Sequence, residues 1–111
     1  MFKVASHGAV QVVSYNEPLT GDSVEEFKDL VEGMIAKGHR YSVLEMSAIK
    51  LLDSDALEAL LDTRDRFEDI GGTFKLAAPL PLCNDILSLT GVEQELEVYG
   101  ELPQAVGSFL R

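Results

Sequence analysis

Apolar and polar positions alternate in short runs along the chain, and these runs predict five β-strands. The predicted strands are Phe2–Ala5, Ala9–Tyr15, Ser42–Met46, Thr73–Ala78 and Leu96–Tyr99. The first two are separated by His7-Gly8, which is typical turn sequence, so they predict an N-terminal hairpin. Two others, Ser42–Met46 and Thr73–Ala78, are nearly continuous apolar runs, which are typical of strands covered by helices.

Between the strands, apolar residues recur every three or four positions, which predicts amphipathic helices. The first helix is expected to begin at Ser23, because Glu26 lies three residues further on in the spacing of a capping box. Gly38 is expected to end it, since glycine adopts the left-handed conformation that follows many helices. The other predicted helices are Ala56–Ile70, Leu82–Leu89 and Leu102–Leu110.

The order of these elements is ββαβαβαβα. Strands that alternate with helices need crossover connections, which are right-handed in nearly all cases and place helices against a mainly parallel sheet. The sequence therefore predicts an α/β fold, a mixed β-sheet with helices mainly on one face, in a single domain over residues 1–111. Sites in such sheets lie at the carboxyl ends of strands, which here is the turn after Met46.

Charge and composition restrict the classes of partner. Lys and Arg total 9 and Asp and Glu total 19, a formal net charge of −10, with no basic cluster, so nucleic-acid binding is not expected. No apolar stretch reaches the roughly 18 to 20 residues of a membrane span. Membrane insertion is therefore not expected, and the N-terminal pattern predicts a cytoplasmic protein. Cys83 is the only cysteine and lies in an apolar run, which favours a buried thiol.

Three short motifs carry a resemblance to a known family. Residues 45–57 (Glu-Met-Ser-Ala-Ile-Lys-Leu-Leu-Asp-Ser-Asp-Ala-Leu) place an apolar loop after a strand and Asp-Ser near the start of a helix. Residues 71–76 (Gly-Gly-Thr-Phe-Lys-Leu) and 87–92 (Leu-Ser-Leu-Thr-Gly-Val) follow in register. With the element order, these motifs resemble the STAS domain family, in its anti-sigma-factor-antagonist branch, over nearly the whole chain. The resemblance implies a STAS-type sheet and a protein-binding role.

The resemblance also implies a partner switch. Unmodified antagonists of this branch bind an anti-sigma factor that is also a serine kinase, and they release it once it has phosphorylated the serine after the aspartate of the motif. That serine is Ser54. The partner-binding residues that the resemblance implies are Asp53, Ser54, Asp55, Ala56 and Leu57. The chemistry fits, because a phosphate at a helix start is tolerated by free backbone N–H groups and adds about −1.5 to −2 charges to an interface.

The tripeptide Asp53-Ser54-Asp55 also has a purely structural interpretation. Asp and Ser are preferred N-cap residues, and Glu58 follows Asp55 in capping-box spacing, so all three residues could be helix caps. The segment also departs from the family pattern, which has Ser or Thr at the position of Asp55 and Gly at that of Ala56. We hypothesise that Asp55 partly imitates a phosphorylated state and weakens regulation by the kinase.

Other functional interpretations stay open. A non-switching STAS subunit, either a signalling scaffold or an accessory subunit of a lipid-transport ABC system, would use the same fold and a similar loop. A receiver domain with Asp53 as phosphoacceptor is less favoured, because the acidic pair expected to hold Mg²⁺ is missing and Lys75 falls inside a strand. Without a Gly-rich phosphate loop or a paired-His motif, neither catalysis nor a metal or cofactor is expected. The oligomeric state stays open.

Overall fold

A computed structural model describes residues 1–110, and its elements follow the order ββαβαβαβα, as predicted. The strands are β1 (Phe2–His7), β2 (Val10–Tyr15), β3 (Tyr41–Glu45), β4 (Thr73–Ala77) and β5 (Val98–Tyr99). The helices are α1 (Gly21–Ala36), α2 (Ser54–Asp69), α3 (Pro81–Leu89) and α4 (Leu102–Gly107), with short 3₁₀ turns at residues 92–94 and 108–110. The predicted fold class and element order are confirmed.

The five strands form one sheet in sequential order from β1 to β5. β1 and β2 pair antiparallel, and every later neighbour pairs parallel. This confirms the N-terminal hairpin and the mixed sheet. The hairpin turns at Gly8, whose φ of +64° lies in the left-handed region that glycine adopts without steric cost.

Successive strand residues point to opposite faces of the sheet, and each face carries its own core. On one face, α1, α2 and α3 bury a large cluster that includes Phe27, Leu60 and Leu87. On the other face, α4 covers a smaller cluster with Val12 and Val43. Three of the four helices therefore share a face, as the sequence predicted.

The start of α1 differs from the prediction. Ser23 was expected to be the N-cap, but the N-cap is Thr20, and Ser23 is the third residue of the helix. The Ser23 hydroxyl oxygen accepts a hydrogen bond from the Thr20 backbone N–H at 3.1 Å. The sequence was ambiguous because Thr20 and Ser23 have the same spacing as Ser23 and Glu26, and both threonine and serine are good caps. The Gly38 prediction is confirmed, with a φ of +88° just after the helix.

The Gly71-Gly72 pair follows the end of α2, and each position requires glycine for a different reason. Gly71 has a φ of +74°, a conformation that is energetically unfavourable for residues with a side chain. Gly72 is buried against the backbone of Arg40, where a Cβ atom would overlap the Arg40 carbonyl oxygen. The next residue continues this contact, because the Thr73 N–H donates to the same oxygen at 2.8 Å. Gly72 therefore allows the start of β4 to lie directly against Arg40, the residue before β3.

Lys75 lies in the middle of β4 on the face covered by α4, and only 6% of the residue is exposed. Its Nζ donates to the Ser108 hydroxyl at 2.6 Å and lies 3.5 Å from the Glu97 carboxylate. The same amine lies 4.3 Å from the centre of the Phe109 ring, a favourable cation–π distance. Lys75 thus anchors the C-terminal segment to the sheet and lies inside the strand, as the sequence indicated.

Candidate functional site

The candidate site lies at the carboxyl ends of the parallel strands, where the loop after β3 enters α2. Two residues of this loop, Ile49 and Leu52, are buried, and the Met46 N–H donates to the Ala77 carbonyl at 2.9 Å. Leu51 is exposed to 42% beside them. The loop is therefore packed down on the sheet while its outer surface and the start of α2 face solvent.

Asp53 is the N-cap of α2. One carboxylate oxygen, Oδ1, accepts a hydrogen bond from the Ala56 N–H at 2.9 Å, and the other, Oδ2, accepts one from the Gly21 N–H of α1 at 2.9 Å. The Ala56 N–H, followed by that of Gly21, lowers the pKa of Asp53 below the usual aspartate value. The carboxylate is therefore ionised at neutral pH and held in one orientation.

Ser54 is the first residue of α2 and is exposed, and Asp55 is the second. Of the three polar residues that could have been caps, the structure assigns that position to Asp53. The Ser54 hydroxyl therefore lies at the positive end of a 16-residue helix, within one residue of a fixed carboxylate.

The Asp55 side chain extends towards α1. A Cβ atom placed on Gly21 would lie 2.7 Å from Oδ2 of Asp55, so the carboxylate sits over the first residue of that helix. It borders a groove of about 260 Å³ between α1 and α2, which is also lined by Glu25, Glu58, Asp62 and the basic residue Lys28. Four acidic side chains and one basic side chain therefore line this groove.

The last two residues of the predicted partner-binding segment point away from the open surface to different degrees. Ala56 is fully buried, so its methyl group packs into the core beneath the start of α2. Leu57 is only partly buried and packs at the edge of the large cluster. Asp53 is half-buried, so the exposed polar groups of the segment are those of Ser54 and Asp55.

Sequence reasoning missed Gly21 as a member of this site. It lies 32 residues before Asp53, and only the fold brings its N–H to the Asp53 carboxylate. A glycine between Thr20 and Asp22 carries no signal of such a contact. The only usable hint was general, since loops that lead into helices meet at the carboxyl edge of a parallel sheet.

Cys83 of α3 lies against the loop that leads into α2. Cys83 is buried, its Sγ lies 3.3 Å from the Ile49 carbonyl oxygen, and burial raises the pKa of its thiol. This agrees with the interpretation of a packed thiol. Within residues 1–110, no three His, Cys, Asp or Glu side chains are grouped so that they could hold a metal ion. Over the same residues, no helix has the length and hydropathy needed to span a membrane.

Comparison with known proteins identifies the class. The family model of the STAS domain matches residues 1–105, so the chain belongs to the STAS domain family. A Thermotoga neapolitana protein assigned as an anti-sigma factor antagonist is 24% identical over 98 residues, which are 87% of this chain and 87% of that protein.

Solved structures agree on the fold. The crystal structure of an assigned anti-sigma factor antagonist from Thermotoga maritima has a TM-score of 0.93 at 23% identity and covers 99% of this chain and 95% of that one. The Bacillus cell-fate determinant SpoIIAA, solved in its phosphorylated form, has a TM-score of 0.74 at 15% identity and covers 100% of both chains. Within the STAS family, the chain is therefore similar to anti-sigma factor antagonists.

Proposed function

We propose that this chain is a cytoplasmic anti-sigma factor antagonist that acts as a binding switch and not as an enzyme. In the proposed cycle, the unmodified chain binds an anti-sigma factor through the surface around Ser54, and phosphorylation of Ser54 by that partner's kinase activity releases it. The observation that carries the proposal is the exposed Ser54 hydroxyl at the first residue of α2, beside the fixed carboxylate of Asp53.

The local structure supports a switch that acts at the interface. A phosphate on Ser54 would lie at a helix N-terminus, where anionic groups are favourable for the helix. At a desolvated interface, in contrast, an added charge without a partner group is costly. The neighbouring side chains of Asp53 and Asp55 are acidic, so they cannot neutralise the charge of the phosphate. Release of the partner is therefore the expected result, with the fold retained.

The experiment that tests this function is affinity purification from the native lysate, followed by intact-mass analysis of the chain. An ATP-binding kinase that co-purifies with the unmodified chain, and a phosphate that maps to Ser54, are the expected results. Recovery of a transporter ATPase or a large multi-copy complex without Ser54 phosphate would instead identify a non-switching STAS subunit. Labelling of Asp53 by a small phosphodonor with Mg²⁺ would identify a receiver.

We predict that Asp55→Ser increases both the rate of Ser54 phosphorylation and the affinity for the co-purifying kinase by several-fold. The substitution removes a permanent negative charge one residue from the acceptor hydroxyl, which weakens repulsion of ATP and of the incoming phosphate. Single-turnover phosphorylation and calorimetric titration measure the two effects.

The matched control for this prediction is Asp69→Asn. It removes one exposed charge from the last residue of the same helix, about 22 Å from Ser54 at 1.5 Å per residue. We expect it to change both quantities by less than two-fold, because exposed charges separated by more than about 8 Å are largely screened at physiological salt. Equal values for wild type and Asp55→Ser would contradict the hypothesis that Asp55 imitates phosphoserine.

A further inference from the structure

The carboxylate of Asp53 joins the starts of two helices. Capping α2 needs only one of its oxygens, and Oδ1 meets that need at the Ala56 N–H. Oδ2 instead accepts the N–H of Gly21, the first residue of α1, at 2.9 Å. The Gly21 N–H has no acceptor within its own helix, because the first N–H groups of any helix lack one. One ionised side chain therefore satisfies two helix N-termini.

This contact continues a short backbone pairing between the two loops that precede these helices. The Leu19 N–H donates to the Leu51 carbonyl at 2.9 Å, and the Asp53 N–H donates to the Leu19 carbonyl at 3.4 Å. Leu19 and Leu52 form a parallel β-bridge, and both are buried. The bond from Gly21 to Asp53 is the next one along this pairing and the nearest to Ser54.

Because it lies next to Ser54, the bond from Gly21 to Asp53 can hold the Ser54 segment in place relative to α1. Without it, the pairing would end at the 3.4 Å bond of the Asp53 N–H, and the first turn of α1 would be joined to the Ser54 segment only by packing. With it, the first residues of α1 and α2 are fixed relative to each other. A partner that contacts Ser54 then meets both helix starts as one rigid surface, which lowers the entropic cost of binding.

We propose that Asp53 is a positioning residue for Ser54, which it holds in a fixed relation to the first turn of α1 through Gly21. This inference rests on the proposed function of Ser54 as phosphoacceptor. Asp53 acts through its two backbone hydrogen bonds and takes no part in phosphate transfer. The two roles of its carboxylate can be separated by substitution, because they use different oxygens.

Asp53→Asn tests the hydrogen bond between Gly21 and residue 53 while keeping the N-cap of α2. The asparagine Oδ1 still accepts from Ala56, but its NH₂ group is a donor and cannot accept the N–H of Gly21. We expect kcat/KM for Ser54 phosphorylation by the kinase that co-purifies with wild type to fall about ten-fold, mainly through a higher KM. Circular dichroism is expected to show an unchanged fold.

Gly21 allows the same test from the other helix, with a matched control. Gly21→Pro removes the N–H at the first helical position, where proline is well tolerated. Gly21→Ala adds a Cβ in the same place, next to the movable Asp55 carboxylate, but keeps the N–H. We expect Gly21→Pro to lose about ten-fold relative to Gly21→Ala, as Asp53→Asn does relative to wild type, and the double variant of Gly21→Pro with Asp53→Asn to show no further loss.

An NMR titration tests the link without the kinase. Because the folded-state pKa of Asp53 is lowered, both hydrogen bonds are present above the usual aspartate range and are lost as the pH falls through that lowered value. The amide signals of Gly21 and Ala56 should therefore shift with one shared midpoint. This midpoint should persist when the other first-turn carboxyls are removed in Asp22→Asn and Asp55→Asn, and vanish in Asp53→Asn.

The outcomes separate the two proposals. Wild-type kinetics in Asp53→Asn, an equal loss in Gly21→Ala and Gly21→Pro, or a Gly21 amide that ignores Asp53 would each overturn the positioning role while Ser54 remains the phosphoacceptor. A wild-type chain that carries no phosphate on Ser54 after incubation with its co-purifying partner and ATP would overturn the proposed function, and with it the positioning role.

Discussion

Replacing Ser54 with glutamate is expected to weaken binding of the co-purifying anti-sigma factor by at least 30-fold while leaving the fold intact. The substitution places a permanent charge at the first residue of α2, beside Asp53 and Asp55. If this surface is desolvated in the complex, a charge without a partner there costs about 2 kcal/mol or more, which corresponds to roughly 30-fold in Kd. The free energy of unfolding should change by less than about 1 kcal/mol, because an acidic group at a helix start is tolerated.

Gln104→Glu is the matched control for this prediction. It adds the same charge at an exposed position of α4, on the opposite face of the sheet, so it reports the effect of raising the net negative charge alone. Calorimetric titration of both variants, with urea unfolding of each, measures the two quantities. Equal affinities for Ser54→Glu and wild type would show that the partner does not cover Ser54.

Gly72→Ala is expected to destabilise the fold by about 3 kcal/mol, the largest effect on stability that we predict for a single methyl group. The added Cβ would overlap the carbonyl oxygen of Arg40, which also accepts the Thr73 N–H. Backbone atoms cannot rotate away as a side chain can, so the start of β4 must move away from Arg40. Overpacking of this kind typically lowers the free energy of unfolding by about 1 to 3 kcal/mol. Urea unfolding measures the change.

Two glycines serve as controls for Gly72→Ala. Gly71→Ala should lower the free energy of unfolding by about 1 to 2 kcal/mol, because a residue with a side chain is strained at this positive φ. The added Cβ would contact only the flexible end of the Arg40 side chain, which can move away. Gly33→Ala, at an exposed position in the last turn of α1 where a Cβ meets nothing within 4 Å, should stabilise the fold by about 0.5 to 1 kcal/mol. A Gly72→Ala variant as stable as wild type would contradict the close backbone approach.

The N-caps of α1 and α2 could not be assigned from sequence patterns alone. The pattern of Asp53-Ser54-Asp55 left open which residue caps α2, since all three have suitable side chains. The structure assigns the cap to Asp53 because its carboxylate reaches the Ala56 N–H. At α1 the pattern favoured Ser23 and the structure uses Thr20, since both spacings satisfy the same local rule.

The amino-acid sequence by itself determined the element order, the mixed sheet with helices mainly on one face and the position of Ser54 near the start of α2. These features follow from local periodicity and turn residues, which act over a few neighbouring positions. Only the tertiary structure decided that Asp53 bonds to Gly21 and that the Asp55 carboxylate lies over α1. Such contacts join residues more than thirty positions apart, and they exist only once the parallel sheet has brought the two helix starts to the same edge.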